Sequence, residues 1–196
     1  MILAALAPRC PSATIHGEMS SARPSSATNP RSTATATATA VSLRAIRFED
    51  VSSILAVIER AVAHDCRAYY DAEQRRAVFL TYAQGLFVES LGPFESIVAV
   101  DADGETLMGF AQLDPGAARL RALFVDADFQ RRGVGAALLA GIERRARRRG
   151  ATRLCGAMSL NAVPFYARAG FRPAPGPERL VAAGVPVPVL RMDKDL

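Results

Sequence analysis

The sequence predicts an α/β domain with a mixed sheet, in the element order β-α-α-β-β-β-α-β-α-β-β. Short apolar runs typical of strands alternate with longer stretches of helical periodicity, and glycine and proline fall between them. No run approaches the roughly 18 apolar residues of a membrane-spanning helix. Half of the 196 residues are apolar and 22% are charged, which is enough apolar material for one self-sufficient core.

The first forty residues differ in composition from the rest of the chain. Residues 20–40 are mostly Ser, Ala, Thr and Pro, and they end in a Thr-Ala repeat. An alternating Thr-Ala strand would gain little by packing, because alanine offers little apolar area. We therefore expect residues 1–40 to be a disordered tail and residues 41–196 to form the folded domain.

The first half of this domain predicts a strand, two helices and a hairpin. Val51, Ile54, Leu55 and Ile58 have helical spacing, and Asp71 can cap the second helix. The segment 101–104, Asp-Ala-Asp-Gly, is a strong hairpin signal. The predicted elements are a strand over 41–48, helices over 49–63 and 71–89, and strands over 94–100 and 106–113.

The second half alternates strands and helices. Gly150 and Gly170 each follow a helical pattern, where a left-handed residue commonly ends a helix. The predicted elements are a strand over 118–125, a helix over 133–149, a strand over 153–158, a short helix over 162–168, and two strands near Leu180 and over 187–192.

Charge and cysteine content narrow the possible functions. The net charge of +5 is mild and suits an anionic ligand better than a nucleic-acid scaffold. The arginines crowded over 144–149 suit a helix C-terminus, which favours cations, and nucleic-acid binding is the minor alternative. Three cysteines at wide spacing, Cys10, Cys66 and Cys155, predict neither a metal site nor a disulfide framework. We expect a cytoplasmic protein without a metal or a membrane anchor.

The most informative stretch covers residues 123–139. A strand ends at Val125, the next loop carries Gln130 and two arginines, and Gly133 and Gly135 open a helix. The first N–H groups of a helix have no internal partner, and its dipole makes that end positive. Glycine lets an anion approach the backbone closely. The stretch predicts a pyrophosphate site; a plain helix start with a solvated arginine loop is the alternative.

The pattern Gln130-x-x-Gly133-x-Gly135, between an apolar strand and an amphipathic helix, resembles the acetyl-CoA motif of the GCN5-related N-acetyltransferase (GNAT) superfamily. The element order over residues 44–192 also fits. The resemblance implies a mixed, mostly antiparallel sheet of six or seven strands with about four helices, splayed at the CoA site. It implies pantetheine on the backbone of 123–125 and pyrophosphate on the amides of 131–136. The implied cofactor-binding residues are Leu123, Phe124, Val125, Gln130, Arg131, Arg132, Gly133, Val134, Gly135, Ala136 and Asn161.

A second segment, Ser159-x-Asn-Ala-x-x-Phe-Tyr-x-x-x-Gly-Phe171, resembles the signature of one branch of the same superfamily. The resemblance implies that Tyr166 is a catalytic acid, since a hydroxyl near the sulfur can protonate a leaving thiolate. It implies that Asn161 contacts CoA. The alternatives are a packed Tyr166 and an Asn161 that only caps a helix. From the spacing, we expect Phe165 and Ala169 to be buried and Tyr166 to face the strand ends.

No motif identifies the general base or the acceptor. Asp114, His64 and Asp65 are candidate bases by position, although Asp114 before Pro-Gly is also typical of a turn. Tyr69 and Tyr70 either line an acceptor pocket or anchor a loop between helices.

The sequence as a whole predicts an N-acetyltransferase that moves an acetyl group from acetyl-CoA to a primary amine of a small molecule or protein. A non-catalytic acyl-CoA-binding sensor is the alternative. The expected partners are acetyl-CoA and an amine acceptor, and the chain is compatible with a homodimer.

Overall fold

A computed structural model describes residues 41–83 and 92–196. The predicted tail, and the end of the predicted helix over 71–89, lie outside the described residues. Single turns of 3-10 helix occupy Ala127–Phe129 and Leu160–Ala162. The other described elements are β1 Ser42–Ala45, α1 Asp50–Asp65, α2 Ala72–Ala83, β2 Glu95–Val100, β3 Leu107–Asp114, β4 Arg119–Val125, α3 Val134–Arg148, β5 Arg153–Ser159, α4 Val163–Arg168, β6 Arg172–Pro173, β7 Arg179–Ala182 and β8 Val185–Asp195.

Within the described ranges the strands form one sheet of eight, in the order β1-β2-β3-β4-β5-β8-β6, with β7 paired to β8. Every neighbouring pair is antiparallel except β4 and β5. The predicted mixed, mostly antiparallel α/β fold is confirmed. The sheet has one strand more than the six or seven expected, because β6 is only two residues long and leaves no alternating pattern in the sequence.

The parallel strands β4 and β5 separate soon after they meet. They share one pair in register, Arg119 with Cys155, and the Cys155 N–H donates to the Ala118 carbonyl at 3.1 Å. On its other side β4 stays paired with β3 as far as Val125. The predicted splay is therefore present, and it leaves the C-terminal half of β4 with an open edge facing β5.

Two apolar cores lie on opposite faces of the sheet. Ile54 and Ile58 of α1 pack with Val98 and Phe110 on one face, together with α2. Leu138 and Ile142 of α3 pack against the other face, together with α4. Successive residues of a strand point to opposite faces, so each central strand supplies both cores.

Local signals in the sequence placed several helix ends correctly. The Asp71 carboxylate accepts from the Gln74 N–H at 2.8 Å, and the Gln74 side chain accepts from the Asp71 N–H at 3.2 Å, which is a capping box. Gly150 and Gly170 have positive φ angles, of 79° and 91°, directly after α3 and α4. None of the helices in 41–83 and 92–196 is both long and apolar enough to cross a bilayer.

The predicted first strand is too long at its C-terminal end. It stops at Ala45, and Phe48 lies in the following turn with 80% of its surface exposed. Asp50 is the reason for the early stop, since its carboxylate accepts from the Arg47 N–H at 2.7 Å and so turns the chain into α1.

Candidate active site

A cleft of about 610 Å³ opens where β4 and β5 diverge. Its walls come from the end of α1, the end of β4, the loop and first turn of α3, and the segment after β5. The lining residues are His64, Asp65, Tyr69, Leu123, Val125, Gln130, Arg131, Gly133, Gly135, Ala136, Asn161, Ala162, Phe165 and Arg168. Eight of the eleven residues implied for cofactor binding therefore meet in one place.

The loop before α3 presents backbone N–H groups to this cleft. Gly133 caps the helix with a left-handed φ of 85°, and Arg131 has a φ of 58°. The Ala137 N–H donates to the Gly133 carbonyl at 2.9 Å, so the amides of residues 134–136 precede the helical ladder. A Cβ on Gly133 would meet nothing within 4 Å. Glycine is needed there for its backbone angle rather than for space.

Gly135 lies where three elements converge. A Cβ built on it would lie 3.5 Å from the ring of Phe165 on α4 and 3.5 Å from the Val125 side chain on β4. These contacts hold the strand end, the first turn of α3 and α4 close together. The Arg131 and Arg168 side chains line the same cleft and add positive charge to that of the helix start, while the Asp65 carboxylate, which also lines it, accepts a hydrogen bond from Gln130. The arrangement suits a diphosphate.

Three of the implied residues do not line the cleft with their side chains. Phe124 is fully buried in the core under α1 and α2, and its ring meets the Tyr82 ring edge-on at 5.2 Å. Val134, the first residue of α3, is buried in the core between that helix and the sheet. Arg132 turns its guanidinium toward the Phe129 ring, 5.4 Å from the centroid. These residues can reach a ligand in the cleft mainly through backbone atoms.

The side chains of Tyr166 and Phe165 have the opposite directions from those expected. Phe165 lines the cleft, whereas Tyr166 is fully buried between Phe165 and Phe171, with ring centroids 4.9 and 5.5 Å away. In the described part of the chain the Tyr166 hydroxyl has no hydrogen-bond partner. Burial raises its pKa well above the ordinary value, and the Tyr82 phenol adds to that rise. The phenol therefore stays protonated.

Asn161 does not cap α4. The helix begins without a side-chain capping bond, because Asn161 lies in the preceding 3-10 turn. Its side-chain oxygen lies 3.8 Å from the sulfur of buried Cys66, and the residue lines the cleft. Burial raises the pKa of the Cys66 thiol to about 11. Asn161 thus lines the cleft and does not cap the helix.

The end of α1 is tied to the loop before α3. The Gln130 amide donates to Asp65 Oδ2 at 2.5 Å, and Asp65 Oδ1 lies 3.0 Å from His64 Nδ1. One turn earlier, Arg60 pairs with the buried carboxylate of Asp126. Of the candidate bases, His64 and Asp65 line the cleft.

Asp114 is held in the turn between β3 and β4. It accepts from the Ala117 N–H at 3.1 Å and from Arg119 at 3.0 Å. The turn interpretation fits this geometry.

The two tyrosines after α1 have different roles. Tyr69 is half exposed and lines the cleft. Tyr70 is buried, and its hydroxyl donates to the Pro188 carbonyl at 2.9 Å and accepts from the Leu160 N–H at 2.8 Å. Burial raises the Tyr70 pKa to about 12. Tyr70 anchors the loop to β8 and to the segment after β5.

Sequence reasoning missed Phe165, Ala162 and Arg168 as cleft residues. Arg168 carried a usable signal, since it is a cation in the last turn of the short helix that follows the Asn-Ala segment. Phe165 carried none, because helical spacing alone does not say which of two adjacent aromatic residues faces the core.

The arginines at the end of α3 lie among acidic residues. Arg149 pairs with Glu95 at 2.7 Å and Arg145 with the same carboxylate at 3.8 Å. Glu143 pairs with Arg147 at 3.7 Å and with Lys194 at 2.7 Å. Ion pairs that join the helix end to β2 and β8 account for much of this cluster.

Several solved structures are similar to this chain. One, described as a GCN5-related N-acetyltransferase from Rhodopseudomonas palustris, has a TM-score of 0.73 and 26% identity, covering 79% of this chain and 95% of the other. A GCN5-related N-acetyltransferase from Kribbella flavida has a TM-score of 0.57 and 27% identity, covering 80% and 98%. The PaiA N-acetyltransferase of Thermoplasma acidophilum, solved with coenzyme A, has a TM-score of 0.65, 18% identity and coverage of 80% and 99%, which shows the fold alone.

A comparison with curated protein sequences gave no match. A family model, described as an acetyltransferase (GNAT) domain, matches residues 70–196. This range contains β2 through β8, the loop of Gln130 and Gly133, and the segment of Asn161. The match over most of the chain agrees with the observed fold and cleft, and it shows that this protein belongs to the GNAT acetyltransferase domain family.

Proposed function

We propose that the chain is a cytoplasmic N-acetyltransferase that uses acetyl-CoA to acetylate a primary amine by direct attack. The odd number of widely spaced cysteines supports the location, because it fits a reducing compartment. The observation that carries the proposal is the meeting of the amides of residues 134–136 with the open edge of β4 in one cleft. An anion site and an extended groove beside it match a diphosphate joined to an amide-containing arm.

Each wall of the cleft has a proposed task. The amides after Gly133, helped by Arg131, bind the pyrophosphate. The open edge of β4 at 123–125 offers backbone groups to the amides of pantetheine. Asn161 adds a side-chain hydrogen bond from the opposite wall. Gln130 is held by Asp65, so it keeps the loop against α1.

Acetyl-CoA, when bound, supplies a thioester carbonyl that a neutral amine can attack. The amine must lose a proton, and His64 lines the cleft with one ring nitrogen already next to Asp65. We propose that His64 accepts this proton. Tyr166 keeps its own proton, because burial raises its pKa, and it remains the proposed acid.

A second candidate is a CoA-binding sensor without catalysis. The observation that favours it is the complete burial of Tyr166, whose side chain does not line the cleft. Catalysis through this hydroxyl would require it to reach the gap between β4 and β5 when a ligand is bound.

Two measurements on the full chain separate these candidates. The first is the affinity for CoA by calorimetry, and the second is thiol release from acetyl-CoA across a panel of amines and peptides. The enzyme predicts binding together with amine-dependent release. Tight binding with no release for any amine favours the sensor, and absence of binding by the folded chain rejects both.

A further inference from the structure

A polar network lies on the α1 and α2 face of the sheet, outside the cleft. Gln112 on β3 is 1% exposed, and its amide donates to the Ser96 hydroxyl on β2 at 3.1 Å. Its carbonyl oxygen accepts from Nε of Arg121 on β4 at 3.2 Å. The network ends at the guanidinium of Arg121, so Gln112 holds that group in one orientation.

The Arg121 guanidinium also stacks on an aromatic ring. Its central carbon lies 3.9 Å from the centroid of the Phe94 ring, which is a cation–π contact. Because the guanidinium stacks on this ring and its Nε donates a hydrogen bond, the two terminal nitrogens lie in one defined plane. The group is pre-organised to bind a planar partner through that edge.

The charge of Arg121 is poorly compensated. Its hydrogen-bond partner in the described ranges is the neutral Gln112, and the carboxylate of Asp114 pairs with Arg119. Burial lowers the Arg121 pKa from its ordinary value, the neighbouring Arg119 lowers it further, and Tyr82 and Asp114 oppose this shift only in part. Within 41–83 and 92–196 this half-buried cation has no hydrogen-bonded carboxylate, and a cation in that state is costly and suits an anion.

A β-bulge directs this side chain. Gln112 pairs with Ala122 while Leu113 pairs with Leu120, so Arg121 is the extra residue on β4. A bulge changes the direction of a side chain, and bulges are frequent beside active sites. Here the bulge adds Arg121 to the face that also holds Phe124.

Arg121 lies near the proposed reaction centre. Two residues of strand, about 7 Å, separate it from Leu123. The Tyr82 phenol interacts electrostatically with both Arg121 and Tyr166, and the Tyr82 ring contacts Phe124. Arg121 is therefore on the opposite side of the β4 edge from the loop of Gly133. An acceptor held by Arg121 would lie on the α1 and α2 face of the sheet, opposite the loop of Gly133.

We propose that Arg121 binds a carboxylate carried by the acceptor, so that the acceptor is an amine that also carries a carboxylate. The proposal rests on the proposed acetyl transfer, because the acceptor is the amine of that reaction. Binding of a carboxylate to Arg121 can nevertheless be measured without any turnover. One positive charge that no carboxylate among the described residues binds directly matches a monoanion, and the two terminal nitrogens match its two oxygens. The neutral Gln112 keeps the guanidinium in place and leaves its charge for the acceptor.

The direct test compares 6-aminohexanoate with 6-aminohexanamide, which share the amine and the chain length but differ in charge. Binding of each to the CoA-saturated protein is measured by calorimetry, and turnover is measured by thiol release from acetyl-CoA. We expect the carboxylate to bind about 10- to 100-fold more tightly, as a charge-assisted contact allows. Equal affinity for the two compounds overturns the proposal without any variant.

Variants locate the preference. Arg121→Gln should remove the discrimination, and Arg121→Lys, which keeps the charge but not the planar fork, should retain only part of it. Arg148→Gln makes the same charge change on the exposed end of α3 and should keep the full preference. Loss of the preference in Arg148→Gln, or its survival in a folded Arg121→Gln, overturns the assignment to Arg121.

The same data separate this proposal from the broader one. Equal turnover of both compounds rejects the anion site while acetyl transfer stands. A binding preference that depends on Arg121, with no thiol released for any amine, rejects acetyl transfer while the anion site stands.

Discussion

Gln130 donates a hydrogen bond to the Asp65 carboxylate, with 2.5 Å between Nε2 and Oδ2. The two residues are 65 positions apart in sequence. The bond joins the C-terminal end of α1 to the loop that opens α3. Both residues also line the cleft, so the bond connects the loop that is proposed to bind the pyrophosphate to α1.

The first prediction concerns this bond. Asp65→Ala should weaken CoA binding about fivefold, because a lost hydrogen bond of about 1 kcal/mol leaves Gln130 and its loop less ordered. Calorimetry with CoA measures the change. Asp103→Ala, an exposed carboxylate in the β2–β3 hairpin, is the control and should bind as the wild type does. Unchanged affinity in Asp65→Ala would show that the loop holds its position without α1.

The second prediction compares two glycines. Gly133 and Gly104 both have positive φ, 85° and 79°, and a Cβ on either would meet nothing within 4 Å. Replacement by alanine should therefore cost each about 1–2 kcal/mol of unfolding free energy through backbone strain alone. Only Gly133→Ala should also lose CoA affinity, because it shifts the amides of α3. Chemical denaturation and calorimetry check the two effects, and equal CoA affinity in both variants contradicts the proposed phosphate site.

The third prediction compares two buried phenols. Tyr166→Phe should leave the unfolding free energy unchanged or higher by up to about 1 kcal/mol, because its hydroxyl has no hydrogen-bond partner among the described residues. The same variant should lower kcat about 100-fold if the hydroxyl acts as the acid. Tyr70→Phe should instead cost about 1–3 kcal/mol, since Leu160 and Pro188 lose their partner. Full turnover in Tyr166→Phe removes its catalytic role.

The fourth prediction concerns stability in acid. The Arg44 guanidinium lowers the Asp50 pKa, with help from the Arg47 N–H. A carboxyl whose folded pKa is depressed stabilises the fold above its unfolded pKa of about 3.9, and this stabilisation is lost as pH falls through the folded pKa. Asp50→Asn should therefore cost about 2 kcal/mol at pH 7, and the cost should shrink below about pH 4. Denaturation at several pH values measures it, with Asp103→Asn as control; a constant cost down to pH 2 would contradict the ion-pair explanation.

Local signals in the sequence predicted much of the fold. The capping box at Asp71 and the glycines after α3 and α4 depend on interactions within a few residues, so the sequence alone was enough to predict them. The two-residue β6 was not, since Arg172 and Pro173 form a strand only because β8 lies beside them. The first strand was predicted to reach Phe48, which is too far. Alternation of apolar residues does not reveal that the Asp50 carboxylate binds the Arg47 N–H and turns the chain.

The sequence by itself determined that a helix start with glycine follows a central strand, because amides, dipole and glycine act within a few residues. It also predicted Gln130, Gly133, Gly135 and Asn161 as ligand contacts, and the structure brings these four residues together in one cleft. Only the tertiary structure decided that Phe165 rather than Tyr166 faces that cleft, and that Arg121 lies at a bulge with no hydrogen-bonded carboxylate in 41–83 and 92–196. These side-chain directions and contacts depend on which surfaces of distant strands and helices pack together. Local periodicity in the sequence does not predict that packing.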